Sequence, residues 1–508
     1  VLVDLAVEQP HAIALSDGTR QRTWAELLDR ATRLGHLWRT THGLAAGEHV
    51  AALVGNRVEM VEALLASVLS GVWLTPINWH LTAAEVAFIV EDAGARVLLT
   101  DPTHHATADE AVALTGADTP VLVAGDQLDA LLGEADDTPW PLDGPAGASM
   151  IYTSGTTGRP KGVRRAIATS VGAQLRALAA AGRTLGLDGS GPHLVTGPLY
   201  HAAPLGFAHM DLHNGAPMHV LPKWDEHQFL ALVAAEGIRN THLVPTMFVR
   251  LLRLTEAERA AADVTSLHTV LHGAAPISVA VKQRMIDWWG PVVVEYWGAS
   301  EGGVVTRCTS QEWLAHPGTV GRAVAPYEVF AADANGQRLG PGDNGELWCR
   351  NPDVERVFEY HNDPAKTASA YHSPGTYTIG DIGRVDDEGW VYLADRVSHT
   401  IISGGVNIYP AEIEAVLGEH PAIGDAAVFG IPDDEWGEQV KAVVELVEGV
   451  EVTGDVLDQL LAHCRRHLAG YKCPKSIDVV DALPRFPTGK LHTRELRDRY
   501  WADRDRAI

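Results

Sequence analysis

Apolar residues recur at helical spacing soon after the chain begins. Leu27, Leu28, Ala31, Leu34 and Leu37 fall on one face, with the hydroxyl of Thr23 placed ahead of them as a cap. That spacing predicts a helix over 23–38. Val50 to Val54 is a β-rich run, and a helix over about 58–69 follows it. Strand, helix, strand then repeats: Val72 to Pro76, Ala83 to Ala93, Val97 to Thr100. Repeated βαβ units predict a mainly parallel sheet covered on both faces. The rhythm continues through His242 to Val244, Val270 to Leu271 and Val292 to Glu295, each ending where polar or Gly-rich residues begin. In open α/β sheets ligands collect at those carboxyl ends.

From about Gly345 the runs shorten and turns such as Asp386-Asp387-Glu388-Gly389 appear, the texture of an α+β or small-barrel region. After Asp395-Arg396 a last α+β unit begins. It holds the pair Ile401 and Ile402, Gly404-Gly405, a helix over 410–417, strands near 426–429 and 440–446, and a helix over 454–467. The boundary is expected near residues 395–399.

Composition narrows the class. The 508 residues are 46% apolar and 21% charged, enough for a large buried core and against a disordered chain. Lys plus Arg number 40 against 65 Asp plus Glu, a net charge of −25. Such a chain repels phosphate backbones overall, so nucleic acid is not expected as a partner, although a local basic pocket can still hold a phosphate-bearing small molecule. Four cysteines (Cys308, Cys349, Cys464, Cys473) lack any CxxC or zinc-like spacing, which points to a reducing, cytoplasmic setting without a disulfide framework. The most apolar stretch, Ala63 to Ile77, is shorter than the roughly 20 residues that cross a bilayer. Asp4 and Glu8 stand where a signal peptide would be basic.

The strongest local signal is Tyr152-Thr153-Ser154-Gly155-Thr156-Thr157-Gly158-Arg159-Pro160-Lys161-Gly162. Its glycines and hydroxyls bring N–H and O–H donors close to an anion, and Lys161 adds charge. It is not a Walker A loop, because Gly-Lys-Ser/Thr is absent. On composition alone it also reads as a solvated turn between strand and helix.

This loop resembles the signature of the adenylate-forming superfamily, which holds acyl-CoA synthetases, peptide-synthetase adenylation domains and firefly-type luciferases. Further motifs of that family follow in order across nearly the whole chain. They are Leu199-Tyr200-His201, Gly273-Ala274-Ala275-Pro276, Tyr296-Trp297-Gly298-Ala299-Ser300-Glu301, Gly318-Thr319-Val320-Gly321-Arg322, Gly345-Glu346-Leu347, Gly380-Asp381, Asp395-Arg396, Gly404-Gly405 and Pro487-Thr488-Gly489-Lys490. One motif would be weak; the ordered series makes chance similarity negligible. The resemblance implies a large N-terminal domain (1–395) of doubly wound sheets plus a small barrel, a hinge (396–398) and a smaller mobile α+β domain (399–508).

It also implies ATP, Mg²⁺ and CoA, and a role for each motif. Thr153 to Gly158 and Lys161 would hold phosphates, with Gly273, Ala274, Ala275, Gly298 and Ser300 around the nucleotide. Trp297 and Tyr296 would offer a ring to adenine and Glu295 would accept its amine, although the aromatic pair reads equally as core. Glu301, with Thr157, would stand near Mg²⁺, a hard cation that takes oxygen ligands. Asp381 would accept the ribose hydroxyls and Arg396 would add a forked cation. Ile379 stands where the family often has Thr. Lys490 would bridge the acyl carboxylate and α-phosphate, where charge develops during transfer.

The second half-reaction implies rotation of the small domain about Ser398, a position where relatives commonly carry Asp or Lys. Gly404 and Gly405 would line the pantetheine tunnel, with Trp436, Tyr471, Lys472 and Lys475 towards the CoA nucleotide; either lysine alone reads as well as part of a basic surface turn. The acyl pocket would be formed by His201, Ala202, Ala203, Gly206, Gly298 and Ala299. Its small residues suit a medium-to-long-chain or bulky alicyclic acid, terpenoid- or sterol-like. The expected activity is acid–CoA ligation through acyl-AMP. The alternative is an enzyme that passes its acyl-AMP to a carrier protein or partner ligase. A homodimer is compatible with either.

Overall fold

The computed structural model describes residues 1–501 apart from 154–159, 276, 334, 397–400, 404–405, 434–435, 469 and 486–490. The first predicted helix forms as Trp24–His36, and its start is chemically specified. Thr23 Oγ1 accepts the Glu26 N–H at 3.2 Å, while the Glu26 carboxylate accepts the Thr23 N–H at 2.8 Å. The strand, helix, strand rhythm that follows builds a parallel sheet in the spatial order Trp73–Pro76, His49–Leu53, Ala95–Thr100, Val121–Val123. Behind it the helix Val58–Ser70 is buried along its whole length, Glu59 and Glu62 included. Arg20 and Arg57 meet Glu59, and Arg22 and Arg30 meet Glu62, the pairing that buried carboxylates require.

The large sheet has nine strands, in the order Arg322–Ala323, Gly303–Cys308, Val293–Ala299, Thr269–His272, Asn240–Leu243, His193–Val195, Met218–Val220, Ile13–Ser16, Gln21–Thr23. Its centre, from Val293–Ala299 to Ile13–Ser16, is parallel, as the sequence rhythm predicts. The strand Ile13–Ser16 is a finding beyond that rhythm: it brings the start of the chain beside Met218–Val220. Asn56 ties the two sheets together at their carboxyl ends. Its Nδ2 donates to the Gly197 and Leu221 carbonyls at 3.0 and 2.9 Å, and its Oδ1 accepts the Leu199 N–H at 2.9 Å.

The shorter strands after Gly345, together with Glu328–Ala332 before it, form the expected small barrel-like layer: Glu328–Ala332, Gly345–Arg350, Thr376–Val385 and Tyr371–Ser373 in order, with Val391–Arg396 also beside Thr376–Val385. The carboxyl-terminal region carries a sheet and core of its own. Val406–Ile408, Ile401–Ser403, Gly437–Leu446 and Ile423–Asp433 lie in order, and Ser476–Val480 runs parallel to Gly437–Leu446. Ile413, Leu417, Val428, Val440 and Leu460 pack at its centre. The predicted strands at 426–429 and 440–446 prove to be parts of one long antiparallel ribbon, extended through Gly430 and Pro432, which interrupt the apolar pattern without ending the pairing. The chain is thus mixed α/β, with a large N-terminal domain and a smaller C-terminal one. No described helix is long and apolar enough to cross a membrane. The four cysteines are buried and unpaired by disulfides.

Candidate active site

The strand Val293–Ala299 carries the site, because its two faces serve different neighbours. Tyr296 packs edge-on against Phe207, with centroids 5.0 Å apart, and its hydroxyl lies 3.0 Å from His242 Nε2. Trp297 turns towards the barrel strands, where its indole Nε1–H donates to Asp381 Oδ2 at 2.8 Å. Both partners are buried, Trp297 at 5% exposure and Asp381 at 6%. A bulge delivers Asp381: residues Ile379, Gly380 and Asp381 stand opposite the single residue Leu347, and Gly380 takes φ +79°. Bulges re-aim side chains in this way, and glycine carries the left-handed turn without strain. Arg396 is the cross-strand neighbour of Asp381 at the end of its strand.

Glycine is needed at two points around this strand. A Cβ on Gly273 would collide with the Tyr296 carbonyl and ring, and one on Gly298 would overlap the Gly303 carbonyl where the chain doubles back. Ala274, next to Gly273, is an exposed non-glycine residue at φ +65°, a strained backbone position of the kind found at binding loops. Ala275, Ala299, Ser300 and Glu301 are half-buried. The Tyr360 hydroxyl donates to Glu301 Oε1 at 3.0 Å, holding that carboxylate in place. Among the described residues no three His, Cys, Asp or Glu side chains gather to cage a metal. A single half-buried carboxylate of this kind fits Mg²⁺ held mostly by phosphate and water oxygens.

Two expected ligands are already engaged within the protein. Glu295 accepts from Lys282 at 2.5 Å inside the core, with Lys282 fully buried and also 4.7 Å from the Trp313 ring centre. Burial raises the Glu295 carboxyl above its ordinary pKa, and the adjacent ammonium opposes the rise. Lys161 pairs with Asp363 at 2.6 Å, and Asp363 in turn caps the helix Pro364–Ala370. The Lys161 ammonium holds the Asp363 carboxyl below its usual range. Thr153 ends the strand Ile151–Thr153, directly paired with Lys161.

On the acyl side, His201 stands at the N-terminus of the helix Ala202–Asn214 with its ring 4.4 Å from that of Tyr200. Ala202, Ala203 and Gly206 are half-buried, and a Cβ added at Gly206 would meet open space. In the carboxyl-terminal region Trp436 and Tyr471 are 51% and 55% exposed. Lys475 is exposed, whereas Lys472 bonds both oxygens of Glu412 at 2.7 Å. Ser154, Gly155, Thr156, Thr157, Gly158, Ser398, Gly404, Gly405 and Lys490 lie outside the described residues. Tyr360, Lys282 and Asp363 were not foreseen from sequence. Each lies in a different element from its partner, and Asp363 is 202 positions from Lys161, so no local pattern could have linked them.

Comparisons with known proteins show the family. The AMP-binding enzyme family model matches residues 3–358, and that of the AMP-binding enzyme C-terminal domain matches residues 412–490. The chain is 34% identical over 507 residues to a feruloyl-CoA synthase of Amycolatopsis sp, covering 97% of this chain and 96% of that protein. It is 32% identical to the fatty acid–[acyl-carrier-protein] ligase ScoC of Streptomyces coeruleorubidus over 99% and 96% of the two chains. The structure of o-succinylbenzoate CoA synthetase from Bacillus subtilis, in complex with its acyl-adenylate intermediate, superposes with a TM-score of 0.82 at 28% identity, over 98% of this chain and 97% of that one. The chain therefore belongs to the AMP-binding enzyme family and is an AMP-forming acid–CoA ligase, with ATP and CoA as substrates.

Proposed function

We propose that the acid activated here is hydrophobic and bulky, a medium-to-long-chain or alicyclic carboxylic acid, bound against the helix Ala202–Asn214. The observation that carries this reading is the open space facing Gly206, beside half-buried Ala202 and Ala203. Half-buried Ala203, Met210 and Val304 pack against the buried Phe207 and Tyr296 behind that wall. Small-molecule pockets take this form, mostly apolar with a few placed polar groups.

In the proposed first step a carboxylate oxygen attacks the α-phosphorus of ATP in line, and pyrophosphate leaves. His201 lies beside the acid, Lys490 offsets charge on the transferring phosphoryl group, and Asp381 and Arg396 hold the ribose side. Trp297 and the Gly273–Ala275 turn flank the adenine, while Glu295 supports the strand from beneath through Lys282. Glu301, held by Tyr360, and Thr157 would hold Mg²⁺, which when bound neutralises phosphate charge. In the second step the domain beyond Ser398 rotates, and the CoA thiol displaces AMP from the acyl carbonyl, its proton leaving to solvent. Gly404, Gly405, Trp436, Tyr471, Lys472 and Lys475 form the CoA path in this reading.

Incubation with ATP, CoA and a panel of carboxylic acids, with acyl-AMP and acyl-CoA separated by chromatography, tests it. Bulky hydrophobic acids should turn over fastest, and Gly206→Leu should lower kcat/KM for them by at least ~10-fold while sparing short acids. A preference for short or polar acids would overturn the substrate class. Acyl-AMP that accumulates in the presence of CoA would instead favour transfer to a carrier protein.

A further inference from the structure

Trp297 and Asp381 belong to different sheets, yet the indole N–H and the carboxylate meet at 2.8 Å in a nearly water-free setting. A ring face for adenine needs no N–H; Phe or Tyr would offer one. The indole adds a single donor with no acceptor and one fixed direction. Asp381, in contrast, projects from a bulge, and the terminal torsion of an aspartate is intrinsically broad. We propose that Trp297 is a positioning residue for the nucleotide sugar: by donating to Asp381 it fixes the plane in which the carboxylate meets the ribose hydroxyls. The inference rests on Asp381 being the ribose acceptor. It makes selection of a ribonucleotide over a deoxyribonucleotide depend on a side chain that never touches the sugar.

The test is equilibrium binding of AMP, 2′-deoxy-AMP and 3′-deoxy-AMP to the full chain by calorimetry, alongside ATP–pyrophosphate exchange. Trp297→Phe keeps an aromatic ring and removes the donor. It should narrow the preference for AMP over either deoxynucleotide by about 10-fold, the size of one charge-assisted hydrogen bond. The KM for ATP should rise by a larger factor than kcat falls. Equal weakening of all three nucleotides would show a merely structural ring and overturn the proposal. If Trp297→Phe does not fold, replacing Trp297 with 3-benzothienylalanine removes only the N–H from the same shape, and the same narrowing is expected. Asp381→Ala separates the two ideas. If it abolishes the sugar preference and Trp297→Phe alone narrows that preference, both stand. If it leaves the preference intact, the ribose role of Asp381 fails, and the proposal with it. If it abolishes the preference while Trp297→Phe alone leaves it unchanged, only the proposal fails.

Discussion

Lys282 and Glu295 show how a residue that looks like a ligand can be part of the frame. Their contact is internal, at 2.5 Å, and His272 lies 3.7 Å from the same carboxylate oxygen. Removing one partner leaves the other charge buried without compensation. Lys282→Ala should therefore cost about 3–5 kcal/mol of stability, measured by urea unfolding, and Lys282→Met combined with Glu295→Gln should recover most of it. At Lys490 the expectation is opposite in kind: Lys490→Ala should leave stability nearly unchanged and lower ATP–pyrophosphate exchange by at least ~10²-fold, as loss of a main electrostatic stabiliser does. A near wild-type exchange rate would remove Lys490 from the reaction.

At the scale of elements, the site depends on how separately formed pieces are joined. Asn56 follows the strand His49–Leu53 of one sheet and bonds three backbone groups at the strand ends of the other, including Leu199 just ahead of Tyr200 and His201. Asn56→Ala would strand those groups in a buried place, a loss of about 3 kcal/mol at roughly one per bond. Because Leu199 leads into His201, the same variant should raise the KM for the acid more than the KM for ATP. Equal effects on both would argue for general loosening. The Lys161–Asp363 pair joins the strand Lys161–Arg165 to the helix Pro364–Ala370 in a similar way, and Tyr360, on the strand paired with Lys161–Arg165, reaches Glu301. The strand Lys161–Arg165 is thereby tied to Asp363 at one end and, through its neighbour strand, to Glu301.

For the whole molecule, buried histidines set an acid limit. Burial lowers the pKa of His49 and His242 to about 3 and that of His209 to about 4. All three stay neutral when folded but take up protons near pH 6.5 when unfolded. Their contribution is thus fully present above pH 6.5 and is lost progressively as pH falls, to about 4 for His209 and about 3 for His49 and His242. Each titrating histidine removes about 1.4 kcal/mol per pH unit, about 4 kcal/mol per unit for the three together. Urea midpoints measured from pH 7 to pH 5 should fall steeply. A flat profile would mean that these rings are protonated or solvated in the native state. Net charge, −25 in total, bears on solubility and on non-specific partners, whereas a few placed groups decide what the site accepts.

Much of the fold was legible because it is local. The period of Leu27, Ala31 and Leu34, the Thr23–Glu26 capping box and the repeated strand, helix, strand runs each depend on residues close in the chain. The ordered motifs marked the adenylating chemistry for the same reason, since each is a short loop with its own backbone demands, such as Gly273 beneath Tyr296. What only the tertiary structure decided is where side chains spend their hydrogen bonds. Trp297 and Asp381 are 84 positions apart, and nothing near either one indicates that an indole holds the carboxylate. Glu295 has the composition of a ligand, and only packing shows it claimed by Lys282. The placement of Ile13–Ser16 in the large sheet has the same origin: strand pairing over some 200 residues follows from burial and backbone satisfaction in the assembled core, which no window of sequence contains.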